Sequence, residues 1–204
     1  MTYHRIAALA LAALFAAAAC TPAGGAAAPT GAGATPKPGP TSEPGPGATP
    51  GPVTGMTQPW ATATLTDVTT GESFSIAELV ASGQVVFVEP MAIWCSNCRR
   101  QQADALSALG QLDRSKVTWL SLDVELAETP EALKVYSRQQ GFDFRFAVAS
   151  KDIAIALAAE FGDLVLSPPS TPIIVIGPDG SVELTEFGHK SVDEIIALAR
   201  ARGA

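Results

Sequence analysis

Residues 56–204 predict an α/β domain: a central mixed β-sheet flanked by helices, ending in a β-hairpin and a C-terminal helix. Three observations carry this. Stretches rich in β-branched residues alternate with helical ones along the chain. The last two strand-like stretches are joined only by Pro178–Asp179–Gly180, a turn too tight for a parallel crossover. About 150 residues suffice for one well-buried core.

Taken in order, Ala61–Val68 and Gln84–Glu89 have strand composition, and Ser75 caps a short helix through Ser82 between them. Cys98 to about Arg114 has the Ala, Leu and Gln content of a helix. Lys116–Val124 reads as a buried strand. Thr129–Pro130–Glu131 starts a helix, with a cap followed by proline at the first helical position, running to about Gln140. Phe144–Ala149 is a short strand and Asp152–Phe161 a helix. Pro172–Ile176 and Ser181–Phe187 form the hairpin, and Val192–Arg202 is the closing helix. Pro90 lacks a ladder donor, so the strand before it is expected to end or bulge there.

What precedes the domain differs in kind. Met1–Arg5 is weakly basic, and Ile6–Ala19 is an apolar run too short to span a membrane but suited to a signal-peptide core. Ala17–Ala18–Ala19–Cys20 resembles a bacterial lipoprotein signal, in which the cysteine becomes the lipidated first residue; Ala17 departs from the usual Leu. Ordinary cleavage after Ala-x-Ala, leaving a soluble exported protein, is the competing reading. Lipidation also accounts for the odd cysteine. Residues 1–20 are therefore assigned as a signal peptide with Cys20 as the lipidation site. Residues 21–55, almost wholly Pro, Gly, Ala and Thr, are assigned as a disordered linker. As a coil it would span about 30 to 35 Å.

The 204-residue chain carries a net charge of −7, and up to Gly55 its only charged residues are Arg5, Lys37 and Glu43. An acidic domain gives no support to nucleic-acid binding. Three cysteines, Cys20, Cys95 and Cys98, are too few for a disulfide scaffold. Four-ligand structural zinc is disfavoured because no second cysteine pair exists and His4 and His189 are the only histidines. A peroxidatic site would want Thr three residues before Cys95, where Ala92 stands.

The Cys95–Ser96–Asn97–Cys98 motif follows an apolar strand and opens a helix. Only a thiolate attacks a disulfide, and unpaired N–H groups at a helix N-terminus stabilise an anion. Cys95 is then the exposed attacking sulfur and Cys98 the buried resolving one. Arg99 and Arg100 read as solvated helix residues, His189 as a surface-loop residue, and Trp119 with the Phe142–Phe146 aromatics as core.

Val86–Phe87–Val88–Glu89 and Ala92–Ile93–Trp94–Cys95–Ser96–Asn97–Cys98–Arg99 resemble the active-site stretch of the thioredoxin superfamily, and more closely the TlpA/ResA-like membrane-tethered thiol–disulfide oxidoreductases of bacterial envelopes. Thr171–Pro172 ahead of an apolar strand matches that family's cis-proline loop. The segment Thr129–Gln140 fits its characteristic insert. The resemblance implies a thioredoxin-like fold with Cys95 as nucleophile and Cys98 as resolving thiol. It implies a cis bond before Pro172, with Thr171 offering backbone hydrogen bonds to substrate. Trp94 belongs to the same substrate-facing pattern, and Glu89 matches a buried acid that helps deprotonate the resolving thiol.

No cofactor beyond the redox-active Cys95–Cys98 pair is implied. The implied partners are protein thiols or disulfides outside the cytosol, apocytochrome c among them, and a membrane-embedded electron donor; a monomer is expected. Ser96–Asn97 and Gln101 depart from the reductases' usual residues, so the direction of electron flow stays open. A copper-binding chaperone resembling the Sco proteins is the alternative. Against it, this chain lacks that family's wider cysteine spacing, and Ser167–Pro168–Pro169–Ser170 offers no histidine where that family has one.

Overall fold

The computed structural model of the chain describes residues 55–204. The signal segment, Cys20 and the linker up to residue 54 lie outside the described residues. No helix among the described residues is long and apolar enough to cross a membrane.

The domain opens with a short helix, α1 (Pro59–Thr62), where a strand over Ala61–Val68 is expected. Proline at its first turn and burial of Trp60 and Ala61 favour the helical turn, and only Leu65–Thr66 (β1) remains extended. This strand pairs with β2 (Ser73–Phe74) in a small antiparallel ribbon. Helix α2 (Ile76–Ala81) follows, and its Ser75 cap is reinforced by Glu78 in a capping box.

Five further strands form the central mixed sheet: β3 (Val85–Met91), β4 (Val117–Asp123), β5 (Arg145–Val148), β6 (Ile174–Ile176) and β7 (Val182–Leu184), in the order β5-β4-β3-β6-β7. The first three run parallel, and β6 and β7 form the antiparallel hairpin. Contrary to expectation, β3 passes through Pro90 without a break: Pro90 pairs with Leu122 and Met91 with Asp123. The reason lies on the other edge. Strand β6 pairs only Val86–Val88, so the N–H that proline lacks is not called for there.

Helix α3 (Ser96–Leu109) starts at the motif itself, with Cys95 as its cap, and stops at Gly110. Helices α4 (Pro130–Gln140), α5 (Lys151–Phe161) and α6 (Val192–Arg200) complete the layers, each capped by the Thr or Ser before it. Two single 3-10 turns, Asp163–Leu166 and Pro168–Ser170, connect α5 to the hairpin.

Strand alternation splits the core in two. Phe87, Met91 and Trp119 pack with residues of α3, α4 and α6. Val86, Val88, Leu120 and Leu122 pack with α1, α2 and α5. Phe142, Phe144 and Phe146 stack within the first cluster, as core rather than as a substrate platform.

Candidate active site

The parallel pair β3–β4 delivers the chain to one end of the sheet. There the loop Ala92–Trp94 turns into α3 and places both cysteines at the helix N-terminus. Cys95 and Cys98 are joined as a disulfide, with Cα atoms 5.3 Å apart. The Cys98 backbone N–H donates to Cys95 Sγ at 3.1 Å, so the helix cap is the sulfur itself. Freed by reduction, that sulfur has a donor already in place for a thiolate.

The expectation that Cys95 is exposed is corrected: in the disulfide state it is 2% exposed and Cys98 fully buried. The bond to Cys98 and the capping N–H draw the Cys95 sulfur inward. Trp94 instead is the exposed element beside the pair, at 59%, its indole N–H reaching toward Glu125.

The 3-10 turn Pro168–Ser170 roofs the dithiol. Pro168 O lies 3.3 Å from Cys98 Sγ, where a free thiol could donate to it, and Asn97 Nδ2 donates to Pro169 O at 2.9 Å. Asn97 thereby ties the motif to the loop, a role that spacing alone does not reveal. No peptide bond among the described residues is cis, so the cis Thr171–Pro172 expectation is also corrected. The chain reverses through the 3-10 turn and a left-handed Thr171 (φ 45°, ψ 58°). That conformation costs a β-branched residue about 1–3 kcal/mol and must be held by its surroundings. The Thr171 N–H donates back to Pro168 O and the Gly188 N–H to Ser170 O. With its N–H engaged internally, Thr171 has only its carbonyl to offer a substrate backbone. Beside this loop lies a cavity of about 330 Å³, lined by Asn97, Arg100, Pro169, Thr171, Phe187 and His189.

Behind the dithiol, Glu89 points to the α3 side of β3 and is fully buried. Ser121 Oγ donates to its Oε2 at 2.8 Å and Trp119 Nε1 at 3.2 Å. Burial raises its pKa to about 8, opposed by these donors and by the nearby Gln102 amide. The acid expected to serve the resolving thiol is therefore protonated at neutral pH and titrates where thiol chemistry runs.

A second acidic group was not foreseen. Asp123 ends β4 fully buried, and its pKa is raised by burial and further by the nearby Glu128 carboxyl, against the Glu125 N–H it accepts. Glu128 in turn accepts the Ile93 N–H at 2.8 Å, gripping the loop that leads to Cys95. The signal was weak: two acids separated by a loop look like solvated charges until the register sets them together.

Gln101 is buried and clamps the backbone of Lys190 from both sides, donating to Lys190 O and accepting from Lys190 N–H. His189 is more engaged than a free surface-loop residue, its Nε2 lying 2.6 Å from Asp104 Oδ2. The histidine that the copper reading needs thus has another partner. Among the described residues no three His, Cys, Asp or Glu side chains are grouped to hold a metal ion.

No family model matches the chain, and no curated protein matches it in sequence. Solved structures do match in fold. A thioredoxin-family thiol:disulfide interchange protein from Chlorobium tepidum superposes with TM-score 0.57 at 19% identity, covering 77% of this chain and 99% of that one. A secreted Mycobacterium tuberculosis disulfide oxidoreductase homologous to E. coli DsbE gives 0.54 at 15% identity, covering 70% and 97%. StoA from Bacillus subtilis gives 0.52 at 17%, covering 69% and 98%. Sheet order, strand directions and these superpositions agree: residues 55–204 have the thioredoxin fold.

Proposed function

We propose that the domain is a protein thiol–disulfide oxidoreductase acting through Cys95 and Cys98. One observation carries this: a two-residue-spaced disulfide capping α3, with the fully buried carboxyl of Glu89 on the sheet face beneath it. In the reducing direction, the Cys95 thiolate attacks a partner disulfide. A Cys95–partner disulfide forms, and the partner's other sulfur leaves with the bonding electron pair. Glu89, as carboxylate, takes the Cys98 proton. The Cys98 thiolate attacks Cys95, the mixed disulfide breaks, and the second partner sulfur departs as thiolate. Two electrons have then moved from this dithiol to the partner.

We assign the direction as reduction and the place as the bacterial cell envelope. The leader resembles a lipoprotein signal, and one structural neighbour is a secreted disulfide oxidoreductase. Under this reading Cys20 carries the lipid anchor, a membrane-embedded donor resupplies electrons, and extracytoplasmic proteins are the substrates, apocytochrome c among them. The domain works as a monomer, Trp94 and the Thr171–Pro172 loop flank the bound segment, and no cofactor is needed beyond the dithiol.

The test is trapping. A Cys98→Ser variant incubated with insulin should accumulate a mixed disulfide through Cys95 that dithiothreitol releases. Absence of any adduct would refute the activity. Faster disulfide reduction in insulin than oxidation of a reduced protein supports the assigned direction, and the reverse order would overturn it.

A further inference from the structure

We propose that Gln102 and Tyr136 are positioning residues for Glu89, holding an amide N–H₂ against the carboxyl oxygen that gains and loses the mobile proton. This rests on the oxidoreductase reading for its purpose, but the geometry stands on its own. Glu89 Oε2 accepts from two donors, Ser121 Oγ and Trp119 Nε1. An oxygen so supplied is the unprotonated one, which puts the proton of the neutral acid on Oε1. Oε1 is buried and has no hydrogen-bond partner.

Gln102 lies one turn beyond Cys98 on the buried side of α3, about 6 Å further along the axis. Its Oε1 accepts from the Tyr136 hydroxyl at 2.6 Å, which leaves Nε2 as the end free for another partner. The other end, Nε2, is also buried and has no hydrogen-bond partner. Two buried groups without partners, a carboxyl oxygen and an amide donor, thus share one pocket, near enough for the amide to lower the Glu89 pKa. The pair is unsatisfied while Oε1 carries a proton and satisfied once Oε1 becomes an acceptor, so Gln102 eases ionisation that burial opposes. Tyr136 remains a neutral donor, because burial and the nearby Glu89 charge raise its own pKa.

The charged and titratable groups on this side of the sheet are Cys98 and Arg99 on α3, Tyr136 on α4, Asp123 at the end of β4 and Glu128 on the loop before α4. Strand β4 also brings Ser121 and Trp119, and Val175 of β6, with Ile173 just before that strand, adds apolar contact.

The experiment is a ¹³C-carboxyl NMR titration of Glu89 in the oxidised protein, with the resonance identified by Glu89→Gln. The exchange rate with a small aromatic disulfide is followed across pH in parallel. Gln102→Leu and Tyr136→Phe should each tighten proton binding by Glu89 roughly tenfold. The double variant should add little to either, because both act through one amide. The pH midpoint of exchange should move alkaline with the carboxyl. An unmoved Glu89 midpoint in Tyr136→Phe, which removes one oxygen and keeps the ring packing, overturns the proposal even if Gln102→Leu folds poorly. A shifted midpoint with no exchange at any pH upholds the positioning and refutes the oxidoreductase reading.

Discussion

The two faces of the central sheet bury different things. Toward α1, α2 and α5 the strands present Val86, Val88, Leu120, Leu122, Ile174 and Ile176, and their polar residues on this side, Thr118 and Arg145, are only half-buried. Toward α3, α4 and α6 the same strands place Glu89, Ser121 and Asp123 among Phe87, Met91 and Trp119. The first face stabilises chiefly by area removed from water. The second spends part of its burial on groups that must find partners, and those partners lie under the dithiol. The chemistry thus sits where the core is least apolar.

The sharpest break in this comparison comes from the dithiol. Cys95→Ser should reduce exchange to background while leaving the fold intact, as insulin turbidity and circular dichroism would show. Next in size, Leu120→Ala on the apolar face should cost about 2–5 kcal/mol in urea unfolding. It should leave the pH midpoint of exchange unchanged; a moved midpoint would mean the faces are coupled.

Glu89→Gln probes the polar face. The ordinary pKa of a glutamate is 4.5 and burial raises that of Glu89 to about 8, so between these limits the native state holds a proton the unfolded chain has lost. The stabilising contribution is complete below pH 4.5 and is lost as pH rises through 8. Glu89→Gln should flatten that decline, by on the order of a few kcal/mol across the window, while slowing resolution of mixed disulfides. An unchanged stability profile would place the proton elsewhere. Smallest of all, Arg114→Ala removes an exposed pair with Asp143 and should change stability by about 0.5 kcal/mol or less, with no effect on exchange.

Much of the site was legible in the sequence because it is local. Cys95, Cys98 and Trp94 sit within one short motif, and Glu89 stands out as a lone charge in an apolar strand. Ser121, Gln102 and Tyr136 were not legible as its partners. Their meeting depends on the β3–β4 register and on which turn of α3 faces the sheet. The same holds for Asp123 and Glu128. The main strands and helices announced themselves by composition and caps, whereas α1 and the 3-10 turns are too short to show a period. Pro90 misled because its effect depends on a neighbour, β6, that stops short of it. The loop before Pro172 misled for a different reason: a left-handed Thr171 reverses the chain where the resemblance implied a cis bond.

The most direct test of the account is equilibration of the protein with dithiothreitol and glutathione buffers, reading the Cys95–Cys98 redox state and the fold together. The account predicts reversible reduction with the native fold retained, at a potential within the span of exchange enzymes, about −270 to −120 mV. Reduction that proceeds only as the fold is lost would make the bond a structural staple and contradict it.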